Sequence, residues 1–159
     1  MGVTAPKAED FTATKLERPF YGVYYGQAAL PMAAEEMFIM ESDLLAECKV
    51  MNYENNQYAD VYDMTCLQNR DQYDVFLSGA RSLLTIENPN AKTDKELIVF
   101  RDSFGSSMVP LLVQDYKTVT LVDIRYMNPA MLGRFVDFHG QDVLFLYSTL
   151  VLNNSSTIK

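Results

Sequence analysis

The stretch that most constrains this fold is residues 96–128, in which two apolar runs flank a polar turn and an amphipathic segment. The first run, residues 97–100 (LIVF), is apolar without alternation and stops abruptly at residues 101–105 (RDSFG). The second run spans residues 118–123. Strands that are apolar throughout are typical of parallel sheets, because both faces of such sheets are covered. The stretch therefore predicts a strand, a tight turn, a helix and a second strand.

Two further elements continue this pattern towards the carboxyl end. Residues 129–136 predict a second helix, and residues 142–147 (DVLFLY) predict a third strand. A proline is tolerated in the first turn of a helix, so Pro110 places the start of the first helix at about Ser106 or Ser107. That start puts four apolar side chains on one helix face: Phe104, Met108, Leu111 and Leu112. Right-handed crossovers then predict a β-α-β-α-β unit with three parallel strands side by side.

The first half of the chain predicts antiparallel strands that extend or cover this small sheet. The predicted strands are residues 35–40, 45–54 and 57–63, with a turn at residues 55 and 56 between the last two. A hairpin is predicted from residues 73–79 and 82–88, with its turn at residues 79–81 (GAR). The predicted fold class is α/β: a small three-layer parallel sheet in the carboxyl-terminal half, with antiparallel strands and hairpins from the amino-terminal half.

Length and composition are those of one folded domain. The chain has 159 residues, of which 48% are hydrophobic and 21% charged. Residues 1–18 mix proline, alanine, threonine and charges without an apolar period, which predicts a flexible lead-in before a single α/β domain over residues 19–159. The sequence contains no run of eighteen apolar residues, so no membrane span is predicted. The first residues are polar and do not resemble a secretion signal. A net charge of −8 without a cationic cluster argues against nucleic acid as a partner.

Cysteine and histidine are scarce. Cys48 and Cys66 are the two cysteines and His139 is the one histidine, so no spacing resembles a zinc site, and neither a metal nor a cofactor is expected. If the segment between the cysteines forms a hairpin, a disulfide could join them. Two half-buried free thiols are an equal alternative.

Polar residues follow the predicted parallel strands at their carboxyl ends, where ligands of open α/β sheets bind. Asp102, Ser103, Asp123 and Arg125 are therefore expected to share one rim of the sheet. Ser103 lies between a buried strand and a helix, which is the position of a nucleophile elbow, and amides at a helix start suit an oxyanion formed in acyl transfer. A helix-start serine without a catalytic role is the alternative.

The other rim residues also leave two alternatives each. Asp102 either orients a substrate or caps the turn by accepting backbone amides. Asp123 and Arg125 either pair with each other or leave Arg125 to bind a carboxylate or sulfate-like group. Ser148 and Asn153, which follow the third strand, are candidate oxyanion donors, and a frayed carboxyl end is the alternative for Asn153.

A serine nucleophile needs a base, usually histidine. His139 precedes the third strand and therefore lies at its amino end, whereas Ser103 lies at the carboxyl end of a parallel neighbour. A five-residue strand is roughly 16 Å long, which is far beyond hydrogen-bond reach. We therefore expect His139 to be a loop residue and not the base.

An aromatic segment, residues 19–31 (PFYGVYYGQAALP), offers a second kind of site. Its aromatic residues either pack as an irregular strand against a neighbour or stack on sugars or peptides: Phe20, Tyr21, Tyr24 and Tyr25. The second alternative predicts a non-catalytic module that binds a glycan or a protein.

Six segments together resemble the carboxyl-terminal part of the DHHW protein family of Gram-positive, mostly anaerobic bacteria. They are YGVYYGQAALP, YDVFLSG, LLTIENPN, LIVFRDSFGSSMVPLL, VTLVDIRY and DVLFLYSTLVLNNSS, and the most specific is RDSFGSS followed by VDIRY. The resemblance covers residues 20–159. It implies an SGNH-like domain, similar to those of alginate O-acetyltransferases, and carbohydrate O-acyl transfer or ester hydrolysis at the cell envelope. The implied partners are an envelope carbohydrate and an acyl donor.

The resemblance also assigns roles to residues. It implies that Ser103 is the nucleophile and Asp102 its supporting neighbour. The upstream Asp-His pair of the family has no counterpart here, because no DHHW occurs and the D-x-H of residues 137–139 lies downstream of Ser103. The resemblance thus implies a fragment or short form of a longer protein whose first half holds the base, so we expect the isolated chain to be inactive.

Overall fold

A computed structural model describes residues 5–22, 25, 31–154 and 156. The strands are β1 (Thr12–Lys15), β2 (Phe38–Glu41), β3 (Lys49–Asn52), β4 (Gln57–Ala59), β5 (Leu83–Glu87), β6 (Glu96–Arg101), β7 (Thr118–Val122) and β8 (Asp142–Leu146). The α-helices are short: α1 (Asp43–Glu47), α2 (Gly105–Met108), α3 (Pro129–Leu132) and α4 (Thr149–Asn153). Turns of 3-10 helix cover Ala8–Asp10, Met64–Gln68, Gln72–Val75 and Val109–Asp115. Among the described residues, no helix is long and apolar enough to cross a membrane.

The main sheet is mixed and has six strands in the order β4-β3-β5-β7-β6-β8. β6 pairs in parallel with β7 on one side and with β8 on the other. β5 joins this parallel part to the amino-terminal strands through antiparallel pairs with β7 and β3. The α/β class, the three parallel strands and the antiparallel extension from the first half are therefore confirmed.

The central strand β6 is covered on both faces. Leu97 and Val99 lie in a core that includes Val109 and Val113 from the 3-10 helix. Ile98 belongs to a second cluster on the other face, which includes Val122 from β7, Leu83 from β5 and Leu132 from α3. Coverage of both faces explains why the sequence of β6 is apolar without alternation.

The amino-terminal segment differs from the predicted flexible lead-in. Within residues 1–18, β1 pairs antiparallel with β2, which forms a separate two-stranded sheet. Leu16 is buried together with Met37 and Ile39. The Leu16 amide also donates to the Met37 carbonyl oxygen at 2.8 Å. The ladder between β1 and β2 and the burial of Leu16 therefore attach this segment to β2.

One predicted strand is absent and another begins later than predicted, because local caps begin helical turns instead. The strand predicted from residue 45 begins only at Lys49, because the Ser42 hydroxyl accepts the Leu45 amide and starts α1. The strand predicted at residues 73–79 is a 3-10 turn that begins where the Asp71 carboxylate accepts the Tyr73 amide. It ends in a tight turn with positive φ at Leu77, Ser78 and Gly79.

The first predicted helix exists but exposes a different face. It starts as α2 and continues as the 3-10 helix, with Pro110 in the first turn of the 3-10 part. The buried residues are Val109, Pro110 and Val113, whereas Phe104 and Met108 are exposed. The predicted face holds only in part, because Leu111 and Leu112 are half-buried and pack against the main core, whereas Phe104 and Met108 are not buried.

Both cysteines are free thiols, so the disulfide alternative does not hold. Cys48 is fully buried at the end of α1, and its thiol lies 3.3 Å from the Leu44 carbonyl oxygen. Burial, with a smaller contribution from Glu47, raises the pKa of Cys48 to about 11.

Candidate active site

Ser103 lies in the turn between β6 and α2. The turn is closed by two backbone hydrogen bonds, from the Gly105 amide to the Asp102 carbonyl at 3.0 Å and from the Ser106 amide to the Ser103 carbonyl at 3.1 Å. The Ser103 side chain is half-buried. Among the described residues, none forms a hydrogen bond with its hydroxyl. The hydroxyl is thus held at the carboxyl end of β6 and left unengaged.

Gly105 allows the turn to sit directly on the sheet. A Cβ atom at this position would lie 3.0 Å from the Arg101 Cβ and 3.4 Å from the Leu146 Cδ2. Only glycine fits such a close approach without moving its neighbours. The start of α2 therefore packs on β6 and β8, although the four-residue length of α2 gives it a smaller dipole than the sequence suggested.

Asp102 is almost fully buried and accepts two backbone amides. Its Oδ1 accepts from the Phe104 amide at 3.0 Å, and its Oδ2 accepts from the Ser148 amide at 2.7 Å. The first bond caps the Ser103 turn, and the second ties the end of β8 to that turn. The carboxylate of Asp102 is therefore used in the structure to hold the turn.

Asp123 and Arg125 form a bidentate ion pair at the end of β7. The Arg125 Nε lies 2.9 Å from the Asp123 Oδ1, and the Arg125 Nη2 lies 2.6 Å from the Asp123 Oδ2. Asp123 is fully buried, while the Arg125 side chain keeps 21% of its surface exposed. The hydrogen bond to Asp123 raises the pKa of Arg125. Arg125 is thus held by Asp123 at the end of β7 with its side chain partly exposed.

Arg101 is a member of the site that the sequence did not single out. Its side chain is fully buried, with Nη1 3.9 Å from the Asp123 Oδ2 and 3.4 Å from the Asp102 carbonyl oxygen. Its Nε and Nη2 have no hydrogen-bond partner among the described residues. Burial lowers the pKa of Arg101, and the charge of Asp123 opposes that shift. A charged residue that ends an apolar strand was the one clue in the sequence.

The four charges therefore form a buried and balanced cluster, which we call the rim charge cluster: Arg101, Asp102, Asp123 and Arg125. Tyr147, which follows β8, lies beside it. Burial, followed by the negative charges of Asp123 and Asp102, raises the pKa of Tyr147. The predicted convergence of Asp102, Asp123 and Arg125 at one end of the sheet is what the structure shows.

Ser148 and Asn153 have different positions. Ser148 precedes α4 and is joined to the cluster because its backbone amide donates a hydrogen bond to the Asp102 carboxylate. Asn153 is the last residue of α4 and is exposed, and no hydrogen bond joins it to the other candidates within the described part of the chain. The structure brings Ser148 to the site and does not bring Asn153 there.

His139 lies at the opposite end of β6, as predicted. Its Nε2 is 3.6 Å from the Glu96 Oε2 at the first residue of β6, and the Gln141 side chain donates to Glu96 at 3.2 Å. β8 runs parallel to β6 with Asp142 opposite Leu97, so His139 precedes the amino end of this strand pair. It cannot reach the Ser103 hydroxyl.

The aromatic segment connects to the Ser103 turn through Tyr73. The Phe20 and Tyr73 ring centroids are 6.3 Å apart, and the Tyr73 hydroxyl donates to the Phe104 carbonyl oxygen at 3.0 Å. The exposed rings of Tyr21 and Tyr25 lie 4.7 Å apart. Tyr24 lies outside the described residues. Sequence analysis could not identify Tyr73 because the hydrogen-bond partners of its hydroxyl are more than 30 residues away along the chain.

No group of three or more His, Cys, Asp or Glu side chains among the described residues is arranged to hold a metal ion. The side chains that lie together at the carboxyl ends of β6 and β7 carry a hydroxyl, two carboxylates and two guanidinium groups.

Comparison with known proteins identifies the family. The model of the DHHW protein family matches residues 3–122. The chain belongs to the DHHW protein family. No curated protein matches it.

Solved structures show the same fold over most of the chain. Bacillus cereus PatB1 with a sulfonyl adduct is 18% identical with a TM-score of 0.67, over 95% of this chain and 51% of PatB1. A DHHW family protein from Eubacterium siraeum is 18% identical with a TM-score of 0.67, over 97% of this chain and 54% of that protein. The chain therefore spans about half the length of these structures.

Proposed function

We propose that Ser103 is the nucleophile of a carbohydrate O-acyltransferase or esterase, and that the catalytic base comes from outside residues 1–159. The observation that carries this proposal is the unengaged Ser103 hydroxyl, held on a turn that Gly105 and Asp102 fix against the sheet. Membership of the DHHW family and the fold shared with PatB1 support it. By the same proposal the protein acts at the envelope of a Gram-positive bacterium, on an envelope carbohydrate and with an acyl donor.

In the proposed reaction, the base takes the Ser103 proton as Oγ attacks the acyl carbonyl carbon of the donor. The new Oγ–C bond forms, and the carbonyl electron pair moves to the oxygen. The tetrahedral intermediate then collapses, and the leaving group of the donor departs with a proton. A carbohydrate hydroxyl, or water in the esterase, next attacks the acyl-serine and restores the Ser103 hydroxyl.

The rim charge cluster supplies the electrostatic part of this proposal. Arg125 carries a fixed positive charge at the rim and would bind an anionic group of the substrate or the developing oxyanion. Ser148 lies at the same rim and is proposed as a further donor, and Asp102 supports Ser103 by holding its turn. Asn153 would have to reach the site from the far end of α4.

Mass spectrometry with phenylmethylsulfonyl fluoride tests the nucleophile in the full-length product of the gene. We expect one adduct on Ser103, which Ser103→Ala removes. Ser107→Ala is the matched control, because the Ser107 hydroxyl is four residues away and is engaged with the Tyr73 hydroxyl at 2.9 Å. An absent adduct, or one that survives Ser103→Ala, contradicts the proposal.

A non-catalytic glycan-binding module is the second candidate, and the exposed Tyr21 and Tyr25 rings favour it. Adjacent exposed tyrosines can stack on a sugar and orient it through their hydroxyls. Saturable glycan binding that survives Ser103→Ala but is lost in the Tyr21→Ala, Tyr25→Ala double variant would support this function. Binding that is unchanged in the double variant would exclude it.

A further inference from the structure

A polar cavity of about 220 Å³ lies between the β3–β4 hairpin and the turn that precedes β5. Its apolar lining comes from three core residues: Val50, Leu77 and Leu84. Its polar lining carries amide, carboxylate, hydroxyl and guanidinium groups, which belong to Asn52, Asp63, Ser78 and Arg81. Small-molecule sites combine an apolar lining with a few convergent polar groups in this way.

Two nitrogen donors in this lining have no partner in the described part of the chain. Asn52 is only 8% exposed, and its Oδ1 accepts the Glu54 amide at 2.9 Å, but its side-chain nitrogen donates to no described residue. The Arg81 Nε is also buried and unpaired among the described residues, while Nη1 of the same side chain lies 3.5 Å from the Glu54 Oε2. Buried polar groups are normally hydrogen-bonded, so two such donors beside one cavity indicate a ligand that accepts from them.

The turn on one side of the cavity is held in an uncommon conformation. Leu77 and Ser78 have φ values of 59° and 55°, which residues with a side chain rarely adopt. Leu77 is buried and its amide donates to the Val61 carbonyl oxygen at 3.0 Å, and the Ser78 hydroxyl donates to the Asp63 Oδ2 at 2.9 Å. Such conformations persist only where surrounding contacts enforce them. This side of the cavity is therefore fixed before a ligand binds.

The charges around the cavity are balanced. Arg81 lies beside the Glu54 carboxylate, and Asp63 adds a second negative charge to the lining. A neutral ligand with several hydroxyls suits this lining, because each hydroxyl both donates and accepts a hydrogen bond. A hexose also has C–H groups to place on the apolar lining. The volume is below the about 300–1,000 Å³ of pockets for drug-sized ligands, which suits one sugar ring.

The cavity lies at the same edge of the main sheet as the Ser103 turn. The Asp123 amide, at the end of β7, donates to the Ser82 carbonyl oxygen at 2.9 Å, and Ser82 directly precedes β5. The Ser82 amide in turn donates to the Glu54 Oε1 at 2.8 Å. The end of β7, the start of β5 and the end of β3 are thus joined along one edge.

The cavity also lies on the face of the sheet that carries Arg101. Side chains two residues apart on a strand share a face, so Asn52 lies on the face of Val50 and Arg101 on the face of Val99. Val50 and Val99 belong to the same core cluster. In the strand order, β3 is three strand spacings from β6, which is about 14 Å. A carbohydrate chain with one ring in the cavity could therefore extend along the edge to Ser103.

We propose that this cavity binds one neutral hexose unit of the carbohydrate acceptor, whose chain runs along the edge of the sheet to Ser103. The Asn52 and Arg81 nitrogens donate to sugar oxygens, and the Asp63 carboxylate accepts from a sugar hydroxyl. The binding of the hexose stands on the cavity alone. Its role as an acceptor subsite rests on the proposed function.

Isothermal titration calorimetry tests the cavity in the full-length gene product, with the β-1,4-linked tetramers of glucose and of N-acetylglucosamine as probes. Arg81→Met removes the donors and keeps an aliphatic side chain, and Ala59→Phe fills the cavity that Ala59 lines. Arg70→Met is the matched control, because Arg70 is exposed and outside the cavity. We expect a tetramer to bind, and to bind about tenfold or more weakly in both cavity variants and equally in Arg70→Met.

Three outcomes overturn the proposal. The first is no binding of either tetramer, and the second is binding that neither Arg81→Met nor Ala59→Phe weakens. The third is binding that the Tyr21→Ala, Tyr25→Ala double variant removes while the cavity variants leave it unchanged, because it then belongs to the aromatic segment. If Arg81→Met does not fold, Ala59→Phe decides the result.

The acceptor role is measured separately, as acetyl transfer from p-nitrophenyl acetate to the tetramer that binds. We expect Arg81→Met to raise the KM for the tetramer about tenfold or more and to leave kcat unchanged, because a remote contact binds the ground state and the transition state equally. Labelling of Ser103 by phenylmethylsulfonyl fluoride should be unchanged. Acetyl transfer with an unchanged KM overturns the acceptor role. If Ser103 is unlabelled in the unaltered protein while the cavity variants weaken tetramer binding, the nucleophile proposal fails and the cavity site stands.

Discussion

The two ends of strand β6 carry the same kinds of side chain in opposite environments. At the carboxyl end, Arg101, Asp102 and Asp123 are buried and connected to backbone amides and to one another. At the amino end, Glu96 and His139 interact at 3.6 Å while more than half of the His139 side chain stays exposed. Burial fixes the first group in one geometry, whereas solvent weakens the second. The end at which we propose the chemistry is therefore the one without a histidine.

The largest effect should come from removing the acid that both arginines share. Asp123→Ala leaves Arg101 and Arg125 without their carboxylate, and an uncompensated buried charge costs about 3–5 kcal/mol. Glu96→Ala, the matched change at the amino end, should cost less than about 1 kcal/mol because its contact with His139 is exposed to solvent. Urea unfolding measures both free energies. Equal losses would show that the two ends do not differ as described.

The close packing of the Ser103 turn predicts a smaller effect. Gly105→Ala places a Cβ atom 3.0 Å from the Arg101 Cβ, and such overpacking costs about 1–3 kcal/mol. Gly133→Ala is the matched control, since a Cβ there meets nothing within 4 Å and φ is −62°. That change should be neutral or stabilise by up to about 1 kcal/mol. The midpoints of thermal and urea unfolding should therefore fall in Gly105→Ala and stay the same or rise in Gly133→Ala. A Gly105→Ala variant that is as stable as the unaltered protein would contradict the close packing.

Alkaline pH should lower the free energy of unfolding by a smaller amount, through one tyrosine near each end of β6. Near the amino end, burial and the hydrogen bond to Asp142 raise the pKa of Tyr116 to about 12, above the value of about 10 for an unfolded tyrosine. The folded state then binds its proton more tightly, so this contribution to stability is complete below pH 10 and is lost as the pH rises to about 12. Burial also raises the pKa of Tyr147 at the carboxyl end.

Replacing either tyrosine tests that slope. Tyr116→Phe should make the fall of unfolding free energy between pH 10 and 12 shallower, and Tyr147→Phe should make the fall above pH 10 shallower, each measured by urea unfolding at a series of pH values. A fall as steep as in the unaltered protein would show that the tyrosine in question does not contribute.

The sequence was sufficient for features that depend on local patterns. The uniform apolar run of β6 and the strand–turn–helix–strand pattern that starts with it predict parallel strands, and right-handed crossovers fix their direction, which places His139 and Ser103 at opposite ends. The Asp123–Arg125 pair follows from the same reasoning, because the two residues are adjacent to the end of one strand.

Features that depend on distant contacts could not be predicted in the same way. An arginine at the end of a strand usually reaches solvent, and only the packing of Gly105 and Leu146 shows that Arg101 is enclosed. The choice between strand and 3-10 turn at Gln72–Val75 depends on one capping carboxylate at Asp71. The link from Tyr73 to the Ser103 turn joins segments that have no common sequence pattern.

We propose that residues 1–159 hold the nucleophile while its base lies elsewhere. The most direct measurement is the rate of Ser103 labelling by phenylmethylsulfonyl fluoride in residues 1–159 and in the full-length gene product, each with and without His139→Ala. We predict labelling about 100-fold or more faster in the longer polypeptide, and no effect of His139→Ala in either. Equal rates in the two proteins, or labelling that His139→Ala abolishes, would contradict the claim.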